Sequence, residues 1–359
     1  MAQIFCQSKT YRDFTLWDVA LLTEEQAYEE MLKLRWGGRD TIKCPRCYHQ
    51  GRHYARPKRR QWRCSKCDSI FSLTTGTPFA HRKLSYKKLY MLIFEFVASP
   101  KSIAANQVHA RLGVTLRTAY QNTGKLREAL WLRRDMTPLS GVVHVDCGFF
   151  GGKPRRPRRR QRATASMVNS KLRNRKASIV PPNARRSIEP WNAEKLKNRR
   201  AVLVMREISP VPGVGSWRTR VVILTAESAK QVLPVIRWHV APRTTIMSDE
   251  GNAYTNLPAW FNHQTVKHSE EYSTDDGVNN NAAECFMSRL RRSEYGVFHG
   301  MRPRYLAFYA NEAAWRDDNR HVSLRNKFEG LMRKVFASGM SKAWCGYVQG
   351  KRLQVEYLG

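Results

Sequence analysis

The sequence predicts a multidomain α/β protein: a small four-cysteine ribbon and a helix-turn-helix, followed by a larger unit in which strands and helices alternate. Three observations predict it. Two CxxC pairs stand close together near the N-terminus, a helix–glycine–helix pattern follows, and from about Gly141 strand-like apolar runs alternate with helical ones. At 359 residues the chain exceeds what one hydrophobic core usually organises, and 42% hydrophobic residues suit a folded protein. The expected units are an N-terminal helical segment (1–40), the ribbon (41–80), the helix-turn-helix (81–135), the mixed α/β unit (140–320) with a basic insertion (153–200), and a basic C-terminal tail (321–359).

In the first unit, "TEEQAYEEMLKLRW" places Thr23 and Gln26 at capping-box spacing ahead of two glutamates and a helical apolar period. The ribbon follows. "CPRC" (Cys44, Cys47) and "CSKC" (Cys64, Cys67) are separated by 16 residues, a spacing that brings four thiolates around one Zn²⁺. Four ligands leave no open position for substrate, so the ion is structural. Arg46, Arg52, Arg56, Lys58, Arg59, Arg60, Arg63 and Lys66 make this a basic surface suited to phosphate contact. The remaining cysteines, Cys6, Cys147, Cys285 and Cys345, are scattered and read as packing residues.

Next comes "LSYKKLYMLIFEFVAS" (84–99), an apolar helix ended by Pro100. From Ser102 the text reads as a helix, a break at Leu112-Gly113-Val114, and a second helix beginning near Thr115. In a helix-turn-helix the second helix enters the major groove, and here it would present Thr115, Arg117, Thr118, Gln121 and Asn122.

A net charge of +34, from 63 basic against 29 acidic residues, demands a polyanionic partner, of which nucleic acid is the first candidate. A membrane surface is the rival, but there is no apolar run of about 18 residues and no signal-peptide pattern at Met1, so a cytoplasmic location is expected. The insertion at 153–200 holds 17 Lys and Arg against 2 acidic residues and reads as a disordered or nucleic-acid-ordered segment. Deleting residues 155–186 should weaken nucleic-acid binding and flatten its salt dependence.

Three acids stand out in the mixed unit. "GVVHVDCGFFGGK" (141–153) sets Asp146 inside a buried strand, where an unpaired charge is costly. Alternation places His144 on the same face, as a candidate neighbour. "TTIMSDEGNAY" ends a second strand with Asp249, and 35 positions later Glu284 sits on a helix in "NAAECFMSRLRRSEYG". On that helix Ala283, Phe286, Met287 and Leu290 form a buried stripe, flanked by a stripe of Glu284, Ser288 and Arg291. Two strand-borne aspartates and a helix-borne glutamate can hold two Mg²⁺ ions about 3.5–4 Å apart for phosphodiester chemistry, with Arg291 steadying a phosphate.

Together these motifs resemble the DDE transposases of bacterial insertion sequences, specifically the fifteen-ninety-five insertion-sequence family with an N-terminal zinc ribbon. The resemblance covers residues 15–320 and rests on "CPRC…CSKC", "FSLTTGTPF", "ARLGVTLRTAY", "VHVDCGFFGGK", "SDEGNAY", "VKHSEEY" and "NAAECFMSRLRRSEYGVFH". It implies an RNase H-like catalytic domain, with Asp146, Asp249 and Glu284 as the metal-binding catalytic acids and Arg291 at the basic position after the third. Some relatives place Asn at the third metal position, which makes Asn281 the alternative to Glu284. The chain departs from the family in having Cys147 and Gly148 after the first acid, where an acid and then a hydroxyl or small residue are common, and in its long insertion.

The implied function is DNA transposition dependent on two Mg²⁺ (or Mn²⁺) ions and one structural Zn²⁺. The implied partners are double-stranded DNA, as element ends and as target, and at least a second copy of the chain on that DNA at the nucleoid. A DNA-binding regulator with an inactive catalytic domain and an RNase H-like nuclease are the alternatives, and RNA is the other polyanion that suits the insertion.

Overall fold

The computed structural model describes residues 5–152, 198–266 and 278–359. Nearly all of the basic insertion, including 155–186, and the "VKHSEEY" motif from 267 onward lie outside the described residues.

The chain begins with α1 (Leu16–Leu21) and α2 (Glu24–Trp36). Thr23 caps α2 reciprocally: its hydroxyl accepts the Gln26 N–H at 3.2 Å, and the Gln26 side chain accepts the Thr23 N–H at 2.8 Å. The ribbon is an antiparallel sheet of β1 (Tyr54–Arg56), β2 (Gln61–Arg63) and β3 (Ile70–Ser72), in which Trp62 stacks on Phe71 at 5.8 Å. It docks on α2 through Arg60, which pairs with Glu24 and Glu25 and lies over the ring of Tyr28. Glu24 also accepts the backbone N–H groups of Tyr86 and Lys87 at 2.7 and 2.8 Å, the exposed donors at the start of α3 (Tyr86–Ala98). Then α4 (Ala105–Leu112) stops at Gly113, which takes the left-handed conformation (φ +59°), and Thr115 caps α5 (Leu116–Leu132).

The second body is a five-stranded mixed sheet. Its elements are β4 (Val142–Gly151), β5 (Arg199–Ile208), β6 (Ser216–Leu224), α6 (Ala229–His239), β7 (Thr245–Asp249), β8 (Asn262–Val266), α7 (Asn281–Ser293), a π-helical turn at Glu294–Phe298, and α8 (Pro303–Asp318). The spatial order is β6-β5-β4-β7-β8. The first three strands form an antiparallel meander, and β7 and β8 add in parallel. Strand alternation sorts the core into two layers. Val143, Val145, Leu203 and Met205 pack with Val232 and Ile236 of α6 on one face, while Phe150, Val202 and Val204 pack with Phe286 and Leu290 of α7 and Phe308 of α8 on the other.

The C-terminal residues expected as a basic tail are packed into both bodies. Helix α9 (Leu324–Ala337) buries Phe328, Leu331, Met332 and Val335 in the core formed by α2, α3 and the ribbon. Trp344 is fully buried against Gly124 of α5, where an added Cβ would lie 2.2 Å from the indole. Glu356 makes a two-pronged pair with Arg200 on β5 at 2.7 and 3.0 Å. Amphipathic text alone leaves a docked helix and a solvated one indistinguishable, which is why the sequence read as a tail.

The two bodies are joined by a buried ion cluster. Arg127 of α5 donates to Glu312 of α8 at 2.6 Å, Arg316 holds the other oxygen at 2.7 Å, and the Arg127–Glu312 side chains are 2% and 1% exposed. Removing one member would strand a buried charge, at about 3–5 kcal/mol.

Candidate active site

In the ribbon, two tight turns present the sulfurs of Cys44, Cys47, Cys64 and Cys67 so that all four lie within 4.8 Å of one another. The Cys44–Cys67 and Cys47–Cys64 separations are 3.7 and 3.6 Å. A tetrahedral Zn²⁺ with bonds of about 2.3 Å sets its sulfurs about 3.8 Å apart. The set fits one structural Zn²⁺, and its four thiolates close the coordination shell.

On the large sheet, β4 and β7 run in parallel and the last paired positions are His144 opposite Met247. Two residues further along each strand stand Asp146 and Asp249, so the register itself brings the two acids side by side where β7 ends, midway along the longer β4. Glu284 comes in from above. It lies in the first turn of α7 and lines one cleft with Asp146, Cys147, Met287, Ser288 and Arg291. The bare Cα of Gly148 lets α7 approach this closely, because a Cβ there would lie 3.0 Å from the Met287 sulfur and 3.6 Å from an Arg291 nitrogen. Arg206 of β5 pins the start of α7 by donating to the Ala282 carbonyl at 2.7 Å, and it pairs with Asp317 of α8, which also binds Arg289 of α7.

The electrostatics record the crowding. Asp146 is pushed up to about 6, first by burial and then by the charges of Asp249 and Glu284, while the Cys147 N–H and Arg291 pull the other way. That N–H reaches one Asp146 oxygen at 2.7 Å and fixes the carboxylate's orientation. Asp249 is oriented likewise by the Gly251 N–H at 3.2 Å. Among the described residues only the cysteine quartet has its ligand atoms all within 4.8 Å, so the carboxylates stand further apart than a single closed shell requires. Hard oxygen donors on separate elements suit divalent ions that retain waters.

The other expected residues divide. Asn281 is exposed at the first position of α7 and is not among the residues lining the cleft. His144 faces Arg206 across β5, and its pKa is pushed down to about 4, first by burial and then by that guanidinium. Arg46, Arg63 and Lys66 are exposed on the ribbon, Arg63 in a surface pair with Asp68. At the start of α5, Thr115 and Arg117 are exposed and Thr118 is half-buried. Two residues of that helix need correction. Asn122 is buried and donates to the Thr118 carbonyl at 2.8 Å, and Gln121 is tied to the Trp344 carbonyl at 2.9 Å, so neither amide is presented outward. The scattered cysteines also differ from expectation, since Cys6, Cys285 and Cys345 are exposed and only Cys147 is partly covered.

One acid escaped the sequence reading. Glu227, in the turn between β6 and α6, feels Asp249 and Asp146, but beside Ser228 it reads as an ordinary helix-start acid. Only the sheet order brings it to the others.

Comparison with known proteins agrees with this anatomy. The profile described as "ISXO2-like transposase domain" matches residues 138–318, and that described as "Transposase zinc-ribbon domain" matches residues 22–69. A protein of the transposable element ISH50 from Halobacterium salinarum, itself described as uncharacterized, is 26% identical over 127 residues, 35% of this chain and 41% of that protein. The match therefore spans less than half of the relative's length. No solved structure matches the chain. None of the helices among the described residues is long and apolar enough to cross a membrane. With the transposase profile covering half of its length and the matching ribbon ahead of it, the chain belongs to the ISXO2-like family of insertion-sequence transposases.

Proposed function

We propose that the chain is a DDE transposase that binds the inverted-repeat ends of an insertion sequence, cleaves them and joins them to target DNA. One observation carries the reading: carboxylates from three separate elements converge around Asp146 on the central strand β4, and burial with mutual repulsion raises Asp146 to about 6. Such an arrangement is costly unless cations compensate it. The β6-β5-β4-β7-β8 order, an antiparallel meander extended by parallel strands, supports an RNase H-like catalytic domain.

In this reading Asp146, Asp249 and Glu284 hold two Mg²⁺, or Mn²⁺ in their place, and Arg291 meets the phosphate being attacked. The ions supply Lewis acidity toward the attacking and leaving oxygens of an in-line phosphoryl transfer. The chain's own part is to keep Asp146 and Asp249 oriented through the Cys147 and Gly251 N–H groups and to hold α7 against the sheet. Water attack would free a 3′-hydroxyl, which then attacks target DNA, so no covalent enzyme intermediate is required. Helices α4 and α5 act as a helix-turn-helix with Thr115, Arg117 and Thr118 toward the major groove, and the ribbon adds phosphate contacts through Arg46, Arg63 and Lys66. Two ends must be held together, which requires at least two copies of the chain on DNA.

The test is a cleavage and strand-transfer assay on end DNA with Mg²⁺. Nicking and joining that vanish in Asp249→Ala are expected. Binding without cleavage, indifferent to Asp249→Ala, would mean a regulator. Cutting without joining, and without need of the repeat ends, would mean a nuclease.

A further inference from the structure

Strands β4, β6 and β7 run in the same direction. Asp146 lies midway along β4, level with Asp249 at the end of β7, and Glu227 follows the end of β6 by three residues. Helix α6, into which Glu227 leads, packs on the turn Asn252–Tyr254 just after Asp249, so the crossover from β6 carries Glu227 toward the two aspartates. Glu227 is half-buried, and no cation pairs with it among the described residues. A helix start normally favours an ionised acid and lowers its pKa. Glu227, one residue ahead of the α6 cap, is instead pushed up to about 7, first by burial and then by Asp249 and Asp146. Burial, with its acidic neighbours, outweighs the helix.

A second feature points at the same spot. Tyr254 is 1% exposed, and its hydroxyl is buried without a hydrogen-bond partner among the described residues. Its pKa is raised first by burial and then by the charges of Cys147, Glu227, Asp146 and Asp249. The tyrosine ring and an Asp249 oxygen border one small space beside Gly251, at 3.4 and 3.0 Å from where a Cβ would sit. A buried hydroxyl is costly to leave unpaired, and a hydrated cation or a carboxylate reoriented by one gives it an acceptor.

Resting on the proposed function, we propose that Glu227 is a fourth carboxylate of the divalent-metal site, acting with Asp146 and Asp249, and that Tyr254 O–H is the donor that orients this acidic group. Hard divalent ions take about six oxygen ligands, and four carboxylates match the charge of two such ions.

The experiment is a Mn²⁺ titration of the full-length, DNA-free protein with its ribbon zinc in place, read by the paramagnetic resonance of the free ion, with melting in Mg²⁺- and Mn²⁺-free buffer alongside. Glu227→Gln is expected to weaken Mn²⁺ binding by about tenfold or more and to raise the melting temperature in the Mg²⁺- and Mn²⁺-free buffer, because a repelling charge is gone. Asp249→Asn is the reference and is expected to abolish binding. If Glu227→Gln binds within about twofold of the parent while Asp249→Asn does not bind, the Glu227 assignment is overturned and the three-acid site stands. If Asp249→Asn also binds like the parent, the site itself is overturned. Should Glu227→Gln fail to fold, Glu227→Asp keeps the charge on a shorter arm, and its Mn²⁺ affinity is read against the same limits.

Discussion

In the ribbon four sulfurs already stand 3.6–3.7 Å apart in pairs, whereas the carboxylates of the large sheet hold back from one another, and burial together with their charges raises the pKa of Asp146 to about 6. The difference follows from what each site has to do. The four sulfurs are already gathered before an ion arrives, so loop geometry alone prepares a closed shell that zinc completes. Carboxylates repel, so the scaffold must impose their proximity through strand register and a pinned helix. The first site holds its unit together; the second stores repulsion that, on the proposed reading, divalent cations would relieve.

The strongest way to break this contrast is to remove a thiolate. Cys64→Ser is expected to release the zinc, whose binding is worth on the order of 10 kcal/mol to such a small unit. Trypsin should then cut within the arginine-rich residues 43–72 and end binding should be lost, while the large sheet stays resistant. Retained zinc with unchanged proteolysis would mean that the shell is not closed by four thiolates. Asp249→Asn should do the reverse, cutting cleavage on the order of 10³-fold with end binding and melting temperature preserved. A variant that loses cleavage and DNA binding together would contradict the separation of the two sites.

Acidity sharpens the contrast further. The folded-state value of Asp146, about 6, lies above the ordinary 3.8, so ionisation costs the folded state. The cost is absent below about pH 4 and complete above about pH 6, and it amounts to roughly 3 kcal/mol. Asp146→Asn should therefore melt higher than the parent near pH 8 in Mg²⁺- and Mn²⁺-free buffer that leaves the ribbon zinc in place, with the advantage shrinking as pH falls through 6 toward 4. A pH-independent difference would mean that Asp146 carries no such penalty. The smallest effects lie on α5. Asn122→Ala should lose about 1 kcal/mol of stability without touching DNA affinity, and Arg117→Ala should leave stability alone while lowering the salt slope of binding by about one.

What the sequence made legible was local. The Thr23 capping box, the Gly113 break and the alternation along β4 are each decided within a few residues, and each is observed. The stripe of Ala283, Phe286, Met287 and Leu290 is buried for the same reason, since helical period alone chooses it. Asn122 was misjudged because the inner face of α5 is covered from outside the helix-turn-helix text, partly by Trp344, more than two hundred residues away. Glu227 was missed because its meaning depends on which strands end together, which no local pattern encodes. The exposed cysteines show the same limit, since composition describes where cysteines usually lie and not where these do.

The Arg127–Glu312–Arg316 cluster has a consequence for where DNA would be cut. It clamps α5 to α8, and so joins the helices of the proposed DNA reader to the sheet bearing the acids, without a flexible tether at that junction. A transposase built this way measures with its own body: the reach from the recognised bases to the broken bond is a fixed length of duplex, and shifting the end sequence by a few base pairs moves the scissile phosphate off the acids.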